Sequence, residues 1–230
     1  MSLEVKDLGR TRQPKAVRES DILAAAHAIF SVKGYEKTAM SEIAKGARVA
    51  EGTIYKHFAN KQDVLAGVVS GFYKTSIEKA ENSLAGIKGI ENQLRVLITR
   101  HIQTFFEDTG LCRLLLQEIR PLNNYPHSDM HQHTRRYSEI LLKVIGDGKK
   151  NNEIRTDIAS KTVRDMIFGG LEHSAWNVLS SNKTTLDADS LTQDILSIVL
   201  NGLKPQPIDQ YKVNLDRLEQ LVTRLENNNK

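Results

Sequence analysis

Apolar residues recur at spacings of three and four along nearly the whole chain, and no long stretch alternates apolar with polar. A period of 3.6 belongs to a helix with one buried face, whereas a half-buried strand needs a period of two. The expected fold class is therefore all-α. Ile22, Ala25, Ala26, Ile29 and Phe30 share one face of a helix over residues 17–33, which Gly34 stops. Ser41 is placed to cap a short helix through residue 48, and another covers 52–58. Val64, Leu65, Val68, Val69, Phe72 and Ile77 then mark a helix over 61–84, roughly 35 Å long. Further helices are expected at 90–107, 111–120, 128–150, 157–181 and 189–203, separated by Gly- and Pro-bearing breaks.

Composition sets the class. The 230 residues are 40% hydrophobic and 26% charged, as in globular proteins. No apolar run approaches the ~20 residues of a membrane span, and the opening MSLEVKDLGRTRQ lacks the apolar core of a secretory signal, so a cytoplasmic location without membrane contact is expected. Cys112 stands alone, which excludes an intrachain disulfide and a cysteine-based zinc site. Net charge is only +4, yet up to Lys61 there are 11 Lys and Arg against 7 Asp and Glu, while the remainder is balanced. A basic first quarter on a neutral body suggests where an anionic polymer binds.

The stretch from Thr38 to Phe58 reads TAMSEIAKGARVAEGTIYKHF. Ile43, Ala44, Ala47, Val49, Ile54 and Phe58 are what two short helices need to pack on a third across a tight turn. Thr53, Tyr55, Lys56 and His57 point outward in this reading and carry donors or positive charge. So short a helix is not stable alone; held by its neighbours, it is suited to the major groove of double-stranded DNA.

This segment resembles the DNA-binding domain of the TetR family, with Gly52-Thr53-Ile54-Tyr55-Lys56-His57-Phe58 as the recognition helix and a long helix following. The resemblance covers residues 20–65. It implies phosphate contacts from Thr38, Tyr55 and Lys61, and base reading by Thr53 and Lys56, with Arg48 and Ala50 as further candidates. One position departs: the family commonly has Gly where this chain has Arg48. Either the turn uses ordinary dihedrals, or Arg48 accepts the strain of a left-handed backbone and gains a phosphate contact. Ahead of the first helix, Lys6, Arg10, Arg12, Lys15 and Arg18 form either a solvated tail or an arm along the DNA.

The resemblance implies three regions: residues 14–61 for DNA binding, 62–204 for ligand binding and dimerisation, and 205–230 as a tail helix. It predicts a homodimer paired through the helices at 157–181 and 189–203, with Val163, Ile167, Leu171, Val178, Ile195, Leu196, Val199 and Leu200 filling the interface. Helices around Leu94, Leu97, His101, Phe105, Leu114 and Leu115 are expected to leave an apolar cavity. His101 reads as a ligand contact or a core histidine, and Phe105 shares its stripe. Arg113, Gln117, His173 and Trp176 are candidate anchors for a ligand head group, surface pairing being the other reading of Arg113. The run from Met166 to Trp176 is similar to TetR-type regulators of fatty-acid degradation, which implies an acyl-CoA or fatty-acid effector.

No constellation of nucleophile and base, or of paired acid and base, points to an enzyme, and no cofactor is expected. His127, Asp129, His131 and His133 read as a polar helix start or as metal ligands. After Pro205 and Pro207, Tyr211, Leu215, Leu218, Val222 and Leu225 step by four and three, giving an amphipathic tail that packs on the body, packs on its mate, or straps two chains together. Two functions remain: a ligand-released repressor of a palindromic operator, or a ligand-independent architectural DNA-binding dimer.

Overall fold

The computed structural model describes residues 15–180 and 187–205, with residues 215, 217–221 and 224. Every regular element among them is helical: α1 (Lys15–Lys33), α2 (Met40–Gly46), α3 (Glu51–Ile54), α4 (Lys61–Leu84), α5 (Ile90–Glu107), α6 (Thr109–Leu114), α7 (Asp129–Lys150), α8 (Ser160–Ser180) and α9 (Ala188–Leu203). A π turn at Leu115–Ile119 and a 3-10 turn at Tyr125–His127 join α6 to α7. The helix expected over 111–120 is thus a short α-helix that widens: Arg120 N–H donates to Leu115 O at 3.0 Å, five residues back. Lys15 and Arg18 belong to α1; Lys6, Arg10 and Arg12 lie outside the described residues.

Packing forms two compact units, Met1–Glu78 with Thr104–Tyr137, and Lys79–Gln103 with Ser138–Lys230. The first therefore extends beyond residues 14–61, because α6 and the π turn pack on α1. Its core joins Ile22, Ala26 and Phe30 of α1 to Ile43, Ala44, Ile54, Val64, Leu65 and Val69, and to Leu111, Leu114, Leu115 and Ile119. Gly110 is essential to the approach: a Cβ there would lie 2.6 Å from both the Cβ and the carbonyl oxygen of Ser31. Tyr73 is buried beside α7, its hydroxyl 3.0 Å from Thr134 Oγ1.

In the second unit, Glu153 caps the start of α5, accepting from Ile90 N–H at 2.7 Å, and Arg155 N–H donates to Leu203 O at the end of α9. Val163, Ile167 and Leu171 of α8 and Leu196 of α9 are buried within their own chain. That corrects their expected place on a dimer face, and the reason is periodicity: each stripe is already used to pack α8 and α9 into the unit. Met166 and Ile198 are left 69% and 68% exposed. The side chain of Val178 is outside the described residues.

Gly110→Ala is expected to lower the denaturant midpoint with unchanged slope, costing about 1–3 kcal/mol through overpacking against Ser31. Gly146→Ala in α7, where a Cβ meets nothing within 4 Å, should instead add about 0.5–1 kcal/mol through helix propensity.

Candidate nucleic-acid interface

The site is built on the turn between α2 and α3. Ala47 N–H donates to Ile43 O, Arg48 N–H to Lys45 O at 3.2 Å and Val49 N–H to Ala44 O at 3.0 Å, with Arg48 at φ 55°. These last two bonds and one left-handed residue make a Schellman stop. Of the two conformations open for Arg48, the left-handed one is taken. The residue is exposed and its side chain lies on a groove.

α2 begins earlier than expected. Its cap is Ala39 rather than Ser41, because the Glu42 carboxylate accepts from Ala39 N–H at 3.1 Å and also pairs with Lys33. Lys33, followed by the Ala39 amide, holds the Glu42 carboxyl below the usual carboxylate range. α3 is a single turn after Ala50, then tightens: Lys56 N–H donates to Thr53 O and His57 N–H to Ile54 O. Ile54 is buried, while Ala50, Gly52, Tyr55 and Lys56 are exposed and Thr53 is half-buried. Arg48, Ala50 and Thr53 share a groove of about 780 Å³ with Gly46, Ala47 and Val49, and with Arg18, Asp21, Ala24 and Ala25 of α1.

Three expected contacts are placed differently. His57 is not an outward donor: its side chain is 7% exposed, against Phe58, with Nδ1 3.9 Å from Glu19 Oε2 of α1. Thr38 is buried, and its hydroxyl donates to Gly34 O at 2.7 Å. Lys61 Nζ donates to Tyr35 O at 2.8 Å, Thr38 O at 3.0 Å and Glu36 O at 3.3 Å, over the Tyr35 ring. Three N–H groups meet three carbonyls, so this ammonium holds the α1–α2 turn, and a phosphate would have to displace a carbonyl.

The same turn is held from its other side by residues the sequence did not single out. Glu118, in the π turn, accepts from Tyr35 N–H at 2.8 Å, and Asp108, the cap of α6, lies 2.6 Å from His27 Nε2 of α1. With the partners 83 and 81 positions apart, no local pattern could have paired them. The hydrogen bond that His27 donates to the Asp108 carboxylate raises the His27 pKa against the opposing effect of burial, with the carboxylate's charge as a smaller cause.

Of the ligand candidates, Phe105, Arg113 and Gln117 belong to the first unit and His101, His173 and Trp176 to the second. His101 is buried and stacks on Phe168 with ring centroids 4.6 Å apart; Phe105 is buried and Trp176 half-buried. Arg113, Gln117 and His173 are exposed on their units. His131 Nδ1 is bonded to Pro126 O at 2.8 Å, and among the described residues no group of His, Cys, Asp and Glu is assembled to hold a metal.

Two outcomes follow. Arg48→Gly is expected to stabilise the fold by about 1 kcal/mol in denaturant unfolding, since Gly carries no left-handed penalty. Because the folded pKa of His27 exceeds its ordinary value near 6.5, the His27–Asp108 pair contributes fully below about pH 6.5 and is lost as pH rises through the folded value. The thermal midpoint should therefore carry a component that declines with rising pH and vanishes in His27→Gln.

Sequence comparison matches residues 22–68 to the family described as bacterial regulatory proteins, tetR family, and residues 73–202 to the YsiA-like protein C-terminal region. The fatty acid metabolism regulator protein of Bacillus subtilis is 26% identical over 194 residues, covering 84% of this chain and 98% of that protein. The HTH-type transcriptional repressor KstR2 of Rhodococcus jostii is 23% identical, covering 82% and 92%. The structure of the transcriptional regulator FadR from Bacillus subtilis in complex with stearoyl-CoA superposes with a TM-score of 0.73 at 26% identity, covering 80% of this chain and 98% of that one. With both halves matched in order along one helical chain, the protein belongs to the tetR family of bacterial regulatory proteins.

Proposed function

We propose that this chain is a ligand-released transcriptional repressor that binds a palindromic operator as a homodimer. The observation that carries the reading is the helix-turn-helix itself: after a Schellman turn Arg48, Ala50 and Thr53 line one accessible groove and Tyr55 and Lys56 are exposed, while Ile54 anchors α3 in the core. In this reading residues 14–61 carry the DNA contacts, and residues 62–204 sense and dimerise. Thr53 and Lys56 read bases, Tyr55 and Arg48 reach phosphates, and the Gly52 backbone allows close approach, since a Cβ there would meet nothing within 4 Å. Thr38, Lys61 and His57 act from behind, by fixing the turn and the end of α3.

Dimerisation is supported by the exposed apolar residues Met166 on α8 and Ile198 on α9, flanked by Gly169 and Gly202, whose missing Cβ atoms leave open space. A second copy packed there would bury them and fix the spacing of two recognition helices, which must match half-sites about 34–36 Å apart. The relative solved with stearoyl-CoA supports a long-chain acyl-CoA as effector, with Phe105, Arg113 and Gln117 of the first unit and His101, His173 and Trp176 of the second each a candidate contact on its own unit. Its release of DNA would pass through the turn that Lys61 and Glu118 hold: movement of α4 or of the π turn shifts the start of α2 and changes the half-site spacing.

Selection of bound sequences from random DNA should recover a palindrome, and stearoyl-CoA should weaken binding to it by about 5- to 150-fold, the usual range of such coupling. A recovered site without two-fold symmetry, or binding unmoved by any chain length of acyl-CoA, would overturn the corresponding half of the proposal. Lys56→Ala is expected to weaken an operator and a scrambled duplex alike if it meets phosphate, and to relax one base position if it reads an edge; Thr53→Ala should do only the latter.

A further inference from the structure

Arg48 takes a left-handed backbone, φ 55°, in the turn that ends α2, where glycine would be free of strain. The residue is exposed, and its side chain lies on the groove beside the start of α3. Arg18, near the start of α1, lines the same groove from the α1 side. Among the described residues, neither guanidinium takes part in a hydrogen bond or an ion pair. The strain at residue 48 is therefore not offset inside the fold. The groove, about 780 Å³, is bounded by these two charges, Asp21 and Thr53, with small side chains between them. Small-molecule pockets are lined instead by large apolar and aromatic side chains, so this lining suits an extended, charged occupant. Two guanidiniums against one carboxylate make that occupant an anion.

We propose that Arg18 and Arg48 grip the backbone of one operator strand between them, which makes α1 part of the DNA interface. The proposal rests on the DNA-binding reading above. A helix in the major groove meets base edges with its N-terminal residues, and Thr53 of α3 lines this groove. The strand at that edge therefore passes between α1 and the turn from α2 to α3. Each guanidinium offers a planar fork of donors that meets phosphate oxygens in pairs. Two groups that the motif alone sets on phosphates are engaged elsewhere: Lys61 Nζ donates to three carbonyls of the α1–α2 turn, and the Thr38 hydroxyl donates to Gly34 O. Arg18 is also unlike a residue on a loose arm. It belongs to a helix whose Ile22 and Ala26 are fully buried, so its charge is held in place before DNA arrives. Asp21, three residues further along α1, is the one carboxylate lining the groove and opposes the strand.

The test is the salt dependence of binding by the full chain, measured on the operator recovered by selection and on a scrambled duplex. Each phosphate neutralised adds about 0.9 to the slope of log K against log salt. Arg18→Gln and Arg48→Gly should each make that slope shallower by about 0.9 on both duplexes, and the double variant by about 1.8. Arg18→Lys should keep the wild-type slope, because the charge remains. Arg48→Gly relieves the left-handed strain, so its weaker binding would accompany a more stable fold and could not come from damage to it. Asp21→Asn should tighten both duplexes. A slope unmoved by Arg18→Gln or by Arg48→Gly, or a loss of affinity in Asp21→Asn, while the wild-type chain still binds its operator, overturns the grip alone. A wild-type chain that binds no duplex overturns the DNA-binding reading and the grip together.

Discussion

The turn over residues 34–38 governs the DNA-reading half, because its backbone polar groups are held from two directions by charged side chains. Lys61, at the first position of α4, donates to three of its carbonyls, and Glu118, in the π turn after α6, accepts its Tyr35 amide. A loop that left these groups unpaired would lose the hydrogen bonds that define it, and α2 would lose its angle to α1. The recognition turn inherits that angle. The close contact of Gly110 with Ser31 sets α6 at the distance from α1 at which Glu118 reaches the turn.

Arg48 shows what a functional edge costs a fold. A Schellman stop asks for a left-handed residue, and glycine would adopt it without strain. An arginine there is disfavoured locally, yet it places a guanidinium on the groove that Thr53 and Ala50 also line. Its position makes sense if the charge is used outside the molecule, which is where a polyanion would lie. His57 is the opposite case. Its place in the motif suggests an outward donor, and the tightening of α3 after Ile54 turns it back toward Glu19 of α1.

Much of the fold was legible because helices announce themselves locally. Period, glycine stops and polar breaks located α1, α4, α5, α7, α8 and α9 to within a few residues. The cap of α2 was misplaced because Ser41 is a good capping residue, but Glu42 reaching back to Ala39 served instead. On α8 and α9 four of the eight residues expected to meet a second copy, Val163, Ile167, Leu171 and Leu196, are buried within their own chain, while Ile195, Val199 and Leu200 are only half-buried: periodicity says that a face is buried, not by what. The exposed pair Met166 and Ile198 could only be separated from the buried Val163 and Ile167 by the packing itself.

The sequence by itself determined the helical class, the helix-turn-helix between residues 38 and 58 and the basic character of the first quarter, since each depends on residue type at short spacing. Tertiary structure decided what could not be local. It put Lys61 on the turn carbonyls, joined His27 to Asp108 and Tyr35 to Glu118 across more than eighty residues, and assigned Arg48 its left-handed backbone. The physical reason is that periodicity records only which face of a helix is apolar. Which donor meets which acceptor depends on where packing brings distant helices together.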